Sequence, residues 1–282
     1  MAYTTTISVE ELADHLVDPD WVIVDCRFRL TEPDQGRKDY QQLHIRGAMY
    51  AHLDQDLSGQ VIKGVTGRHP LPSVEKISKV YSKLGVDSNT QVVAYDDLGG
   101  ALAAVRVWWL LRWLGHDAVA VLDGGWQHWI KKGLPVRSGI ETRKPGNFEP
   151  HLRNNMLVTA EDVEVMRQNP GYLVLDARAA DRFRGENETI DPIAGHIPGA
   201  ISAPYAENLN PDGTFRAIKS LRTRYQRILG DVPIDHVACY CGSGVTSVHD
   251  ILVLMMAGLG EARLYAGSYS EWITDPDRPV EK

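Results

Sequence analysis

Cysteine is scarce in this chain, with three residues in 282. Three is too few, and odd in number, for a disulfide framework, so a reducing compartment is expected. An excess of base is also missing. Lys and Arg total 30 against 37 Asp and Glu, a net charge of -7 that offers no general attraction to nucleic acid. No apolar run approaches the roughly 18 residues needed to cross a bilayer, so no membrane association is expected. The opening Met1-Ala2-Tyr3-Thr4-Thr5-Thr6 has neither a basic nor an apolar stretch of the kind that opens a signal peptide, and a cytoplasmic location is the expectation.

What remains is an ordinary globular composition, 43% hydrophobic and 24% charged, in a chain long enough for two domains. Short apolar strands ending in an acid alternate with helices. Trp21-Val22-Ile23-Val24-Asp25 is followed by helices opening at Ser73 and Ala101, with strands at Gln91–Tyr95 and Val119–Leu122 between and after them. Ser8-Val9-Glu10-Glu11 is a capping-box pattern that opens a helix, and Thr159-Ala160-Glu161-Asp162 opens one in the second half. The order then repeats. Asp25-Cys26-Arg27 matches Asp176-Ala177-Arg178, His44-Ile45-Arg46-Gly47-Ala48 matches His196-Ile197-Pro198-Gly199-Ala200, and Tyr95 matches Tyr240. Gly124 and Trp129 match Gly267 and Trp272. A period this long predicts tandem domains, 1–136 and 157–282, joined by a polar linker over 137–156. Alternating strands and helices predict an α/β fold, each domain a doubly wound, mainly parallel sheet with helices on both faces.

The chemistry concentrates in Cys241-Gly242-Ser243-Gly244-Val245-Thr246. A strand, read as residues 235–238 and running on to Cys239, leads into this loop, and a helix over 247–257 leads out of it. Ligands of open α/β sheets bind at such strand ends. Backbone N–H groups and the helix dipole favour an anion there, and so favour the thiolate of Cys241. Gly242 and Gly244 let the backbone curl closely, and Ser243 and Thr246 add hydroxyl groups. Cys239 alternates with Cys241 along the strand and is read as a core residue, as is Cys26.

With these motifs, the chain resembles the tandem-domain sulfurtransferases of the rhodanese family over nearly its whole length. Arg106-Val107-Trp108-Trp109 and Leu122-Asp123-Gly124-Gly125-Trp126-Gln127-His128-Trp129 carry the likeness in the first half; Gly195-His196-Ile197-Pro198-Gly199-Ala200 and the Cys241 loop carry it in the second. The resemblance implies that Cys241 takes a sulfane sulfur from a small-molecule donor, holds it as a persulfide, and passes it to cyanide or a thiol, a thioredoxin-like reductant among them. No cofactor or metal is implied. Asp96 stands where Cys241 has its counterpart, so the first domain is expected to be catalytically silent. The uncharged loop looks like that of 3-mercaptopyruvate sulfurtransferases, whose loop serine is proposed to work with a histidine and an aspartate. Ser243, His69 and Asp54 match them. Arg182 matches a substrate-binding arginine, and Gly242, Gly244, Val245 and Thr246 would line the donor. A second family arginine, expected just before Gly195-His196, is replaced here by the acidic Glu186-Asn187-Glu188-Thr189-Ile190-Asp191, which leaves thiosulfate open as the donor.

Other classes make distinct demands. A cysteine phosphatase needs an arginine six residues after its thiol to hold the oxyanion, and Ser247 stands there. A zinc site needs further Cys or His pairs at ligand spacing, which do not follow Cys239 and Cys241. The remaining alternative is a sulfur carrier or regulatory binding module with weak catalysis.

Overall fold

Runs of β-branched and apolar residues that end in Asp25 and Asp176 form central strands of two parallel sheets. The computed structural model describes residues 2–282. The chain divides into two compact units. In the first, β1 (Thr6–Ile7), β2 (Trp21–Asp25), β4 (Met49–Tyr50), β5 (Gln91–Tyr95) and β6 (Val119–Leu122) lie in the order β1-β6-β5-β2-β4. Helices α1 (Val9–Asp14), α2 (Gln35–Gln42), α3 (Val74–Lys83), α4 (Ala103–Trp113) and α5 (Gly125–Lys131) are interleaved, and β3 (His44–Ile45) pairs antiparallel with β7 (Val136–Arg137).

In the second unit, β8 (Leu157–Val158), β9 (Leu173–Asp176), β10 (Ile201–Ser202), β11 (Val237–Tyr240) and β12 (Arg263–Tyr265) lie in the order β10-β9-β11-β12-β8. Its helices are α6 (Ala160–Met166), α7 (Ala180–Phe183), α8 (Ile218–Leu229), α9 (Ser247–Met256) and α10 (Ser268–Trp272). Taken from its other edge, the first sheet follows the same path as the second. All pairings within both five-stranded sheets are parallel. This is the α/β class expected, twice over. Among the described residues, no helix is long and apolar enough to cross a membrane.

The duplication extends to side chains. Arg27 forks onto Asp25, and Arg178 onto Asp176, with both pairs buried. The hydroxyl of Tyr95 accepts the Ile45 N–H, and that of Tyr240 accepts the Ile197 N–H, each at 3.2 Å. Trp129 and Trp272 donate their indole N–H to the carbonyls of Pro135 and Pro279. Ser8 with Glu11 and Thr159 with Asp162 cap α1 and α6 as capping boxes, which turns Val9, Leu12, Val163 and Met166 inward. Each core gathers these residues around its tyrosine and tryptophan.

Three local expectations shift. The strand before Cys241 spans Val237–Tyr240 rather than beginning at 235, because Pro233 (φ −61°) starts a 3-10 turn over Ile234–His236. Helix α4 begins at Ala103 rather than Ala101, because the Asp96 carboxylate takes N–H groups of the preceding turn. The long helix α8 was not anticipated; it buries Leu221, Tyr225 and Leu229 along one stripe. Residues 138–153 run with the first unit, tied by the Gly139, His151 and Arg153 N–H groups to the carbonyls of Gln41, Leu114 and Trp113. Two segments join the unit that is remote from them in sequence: Gln60–Pro70 belongs to the second unit and Asn210–Phe215 to the first.

Candidate active site

Cys241 stands at the end of β11, 3% exposed. Its carbonyl accepts the Tyr269 N–H and that of Gly242 accepts the Ser270 N–H, while the Cys241 N–H donates to Ser268 Oγ at 3.1 Å. Ser268 holds a left-handed φ of 56° and donates its hydroxyl to the Tyr265 carbonyl. The start of α10 therefore clamps the backbone of Cys241 and Gly242. Gly244 takes φ 73°. Val245 and Thr246 accept the Val248 and His249 N–H groups at the start of α9, and Val245 is buried. The Thr246 hydroxyl, expected as a donor, makes no side-chain cap. Cys26 and Cys239 are fully buried, and burial pushes both thiols well above their ordinary range, so neither forms a thiolate readily.

The first unit displays what this loop does with an anion. Asp96 closes β5 at the position equivalent to Cys241. Its Oδ1 accepts the N–H groups of Leu98 and Gly100, and its Oδ2 those of Leu102 and Ala104, at 2.9–3.2 Å. Burial still pushes its carboxyl up to about 6 against those bonds. Here the loop is filled by its own side chain.

Of the expected site residues, Cys241, Ser243, His69 and Arg182 lie in the second unit, and Asp54 lies in the first, where its N–H donates to His52 Nδ1. Ser243 Oγ and His69 Nδ1 share a 2.7 Å hydrogen bond, and both residues are buried. His69 arrives there because Gly67 packs against Gly267, where any side chain would meet the Gly267 carbonyl oxygen at 2.5 Å, and because the Arg68 N–H donates to Ser270 Oγ.

One residue was missed. Arg68, the neighbour of His69, lays its Nη2 over Gly242, 2.6 Å from where a Cβ would stand, and Arg182 Nη2 and Nη1 lie 3.8 and 3.9 Å from the same point. Adjacency to His69 was the available signal. The acidic stretch has a job too: Asp191 Oδ1 accepts from Arg68 Nη1, Asp191 Oδ2 from Arg182 Nη2 at 2.9 Å, and Glu188 from Arg182 Nε at 3.0 Å.

Behind the loop, α9 is anchored by a buried polar cluster. Asn208 donates to Asp250 at 2.8 Å and accepts from Arg224 and Tyr225. Burial raises the Asp250 carboxyl to about 7 despite the Arg224 charge. A carboxyl that holds its proton in the folded state but releases it near 3.8 when unfolded opposes folding increasingly as pH rises from about 4 to about 7. Asp250→Asn removes that term. Relative to wild type, the variant is expected to gain about 2–3 kcal/mol between pH 5 and pH 8, read from urea melts at both values. A difference that does not change with pH would show that Asp250 is ionised throughout.

Fold and site together define a class: a duplicated parallel α/β protein with a thiol in one glycine-containing strand-to-helix loop and a carboxylate at the equivalent position of the other. A family model described as the rhodanese-like domain matches residues 8–132 and again 159–275. The chain belongs to the rhodanese family. It is 46% identical to a probable 3-mercaptopyruvate sulfurtransferase of Pseudomonas aeruginosa over 99% of both chains. It is 39% identical to a putative thiosulfate sulfurtransferase of Mycobacterium tuberculosis, covering 97% of this chain and 95% of that one. Among solved structures, the 3-mercaptopyruvate sulfurtransferase from Leishmania major superposes with a TM-score of 0.84 at 32% identity, over 95% of this chain and 74% of the other.

Proposed function

We propose that this chain is a sulfurtransferase that moves sulfur from 3-mercaptopyruvate to Cys241 and on to a thiol or cyanide. The observation that carries the donor is the pair of guanidinium groups, Arg68 and Arg182, that converge on Gly242, next to Ser243 with its hydrogen bond to His69. Two adjacent N–H edges suit the two oxygens of a carboxylate. The relatives named for 3-mercaptopyruvate support the same choice.

The Cys241 thiolate attacks the donor sulfur. The carbon–sulfur bond breaks with its electron pair going to carbon, and the proton of the donor thiol ends on that carbon, giving pyruvate and a Cys241 persulfide anion. Ser243 and His69 polarise the neighbouring carbonyl and carry that proton. An acceptor thiolate, including that of a thioredoxin-like protein, or cyanide then attacks the outer sulfur and restores the Cys241 thiolate. Side-by-side kcat/KM values test the donor. 3-Mercaptopyruvate is expected to exceed thiosulfate by more than about tenfold, roughly 1.4 kcal/mol. A preference for thiosulfate by that margin would overturn the donor assignment.

A further inference from the structure

Six charged side chains of the second unit form a single alternating file that ends at the Cys241 loop. Asp176 pairs with Arg178 at 2.6 Å, Arg178 approaches Glu188 at 3.6 Å, Glu188 pairs with Arg182 at 3.0 Å, Arg182 with Asp191 at 2.9 Å, and Asp191 with Arg68. Three guanidinium groups face three carboxylates, so the file is formally neutral. Among the arginines exposure rises toward the loop, from 1% for the side chain of Arg178 to 17% for Arg182 and 27% for Arg68, while the three carboxylates stay at 0–2%. Burial pushes the Glu188 carboxyl up, but the Arg182 hydrogen bonds and the N–H groups of Asp191 and Ile190 outweigh it and hold the carboxyl below its ordinary range. Asp191, whose side chain is wholly buried, is shared between the two arginines nearest the loop, one oxygen to each.

Resting on the sulfurtransferase reading above, we propose that Asp191 sets the charge selectivity of this site, admitting donors with one negative charge in preference to dianions such as thiosulfate. By engaging Arg68 Nη1 and Arg182 Nη2, it holds both guanidinium groups at Gly242, with Arg68 Nη2 2.6 Å and Arg182 Nη2 and Nη1 3.8 and 3.9 Å from where a Cβ would stand. By its own charge it leaves the pair with no surplus positive charge for a second anionic group. A monoanionic carboxylate adds one charge, which the two guanidinium groups at the loop can hold. A dianion adds a second charge that the neutral file has nothing left to offset, and each unit of local charge alters affinity by about tenfold.

The test is kcat/KM for thiosulfate and for 3-mercaptopyruvate in wild type, Asp191→Asn, Asp191→Glu and Glu188→Gln. The thiosulfate-to-mercaptopyruvate ratio is expected to rise on the order of tenfold in Asp191→Asn and by less in Glu188→Gln, one ion pair further from the loop. In Asp191→Glu, where the charge is kept, it stays near the wild-type value. If Asp191→Asn does not fold, Glu188→Gln decides the matter alone. Equal losses for both donors, leaving the ratio within about twofold, would reduce Asp191 to a structural brace and overturn the proposal. Intact-mass measurement of the persulfide separates the two levels. Wild type that forms it but whose variants keep an unshifted ratio refutes the selectivity claim alone; wild type that never forms it with either donor removes the sulfurtransferase reading and this claim together.

Discussion

Cys241→Ser is expected to lower turnover with 3-mercaptopyruvate by at least roughly ten-thousandfold while leaving the thermal unfolding transition nearly unchanged. Sulfur and hydroxyl oxygen are close in size, and the clamp on residue 241 is made by its backbone: the N–H to Ser268 Oγ and the carbonyl from the Tyr269 N–H. Those bonds survive the substitution. What is lost is a polarisable thiolate able to form a sulfur–sulfur bond and to leave from one, which a serine hydroxyl cannot supply. No other thiol can substitute, because Cys26 and Cys239 are both fully buried and burial disfavours their thiolates. The matching positive result is a gain of about 32 Da, one sulfur atom, on wild type mixed with donor before acceptor is added. Peptide mapping should place it on Cys241, and Cys241→Ser should show none. Retained turnover in the variant, or sulfur mapped to Cys239 or Cys26, would remove Cys241 from the mechanism.

The duplication and the position of the thiol were legible because they depend on local grammar. An apolar run ending in Asp25 or Asp176, followed two residues later by arginine, is a strand end with its own buried counterion, and it occurs twice. Glycines around Cys241 signal a tight strand-to-helix loop, which the left-handed φ of Gly244 requires. The parts that were not legible depend on contacts distant in sequence. Residues 60–70 have no period and look like an ordinary polar loop; only the packing of Gly67 against Gly267 and the bond from Arg68 N–H to Ser270 Oγ fix where they go. Composition likewise marks Glu188 and Asp191 as acidic but cannot say that they hold Arg182 and Arg68. Their charge reads as a missing arginine in the sequence, whereas in space an arginine from another part of the chain stands over the loop. Helix α8 was legible in principle, since Leu221, Tyr225 and Leu229 recur at i, i+4 and i+8.

The two glycines of the Cys241 loop are expected to answer an alanine substitution in opposite ways. At Gly244, φ is 73°, a region that costs an L-residue about 1 kcal/mol or more, and an added Cβ would lie 2.0 Å from the carbonyl oxygen of Ala266. That obstacle is backbone, placed just before the Ser268 turn that clamps Cys241, so it cannot move without releasing the clamp. Gly244→Ala should lose about 3 kcal/mol of stability or more and bring kcat/KM down by at least about a hundredfold, since the turn that presents the thiol is displaced. At Gly242 the added Cβ would instead meet Arg68 Nη2 at 2.6 Å, the far end of a side chain held by Asp191. The guanidinium can swing aside while the loop stays. Gly242→Ala should therefore keep a near wild-type melting transition and persulfide formation at saturating donor, with the loss appearing in KM for carboxylate donors, about tenfold. If Gly244→Ala unfolds no more easily than wild type, the left-handed turn is not what shapes the loop. If Gly242→Ala leaves KM unchanged, Arg68 does not touch the donor, and Arg182 would hold its carboxylate alone.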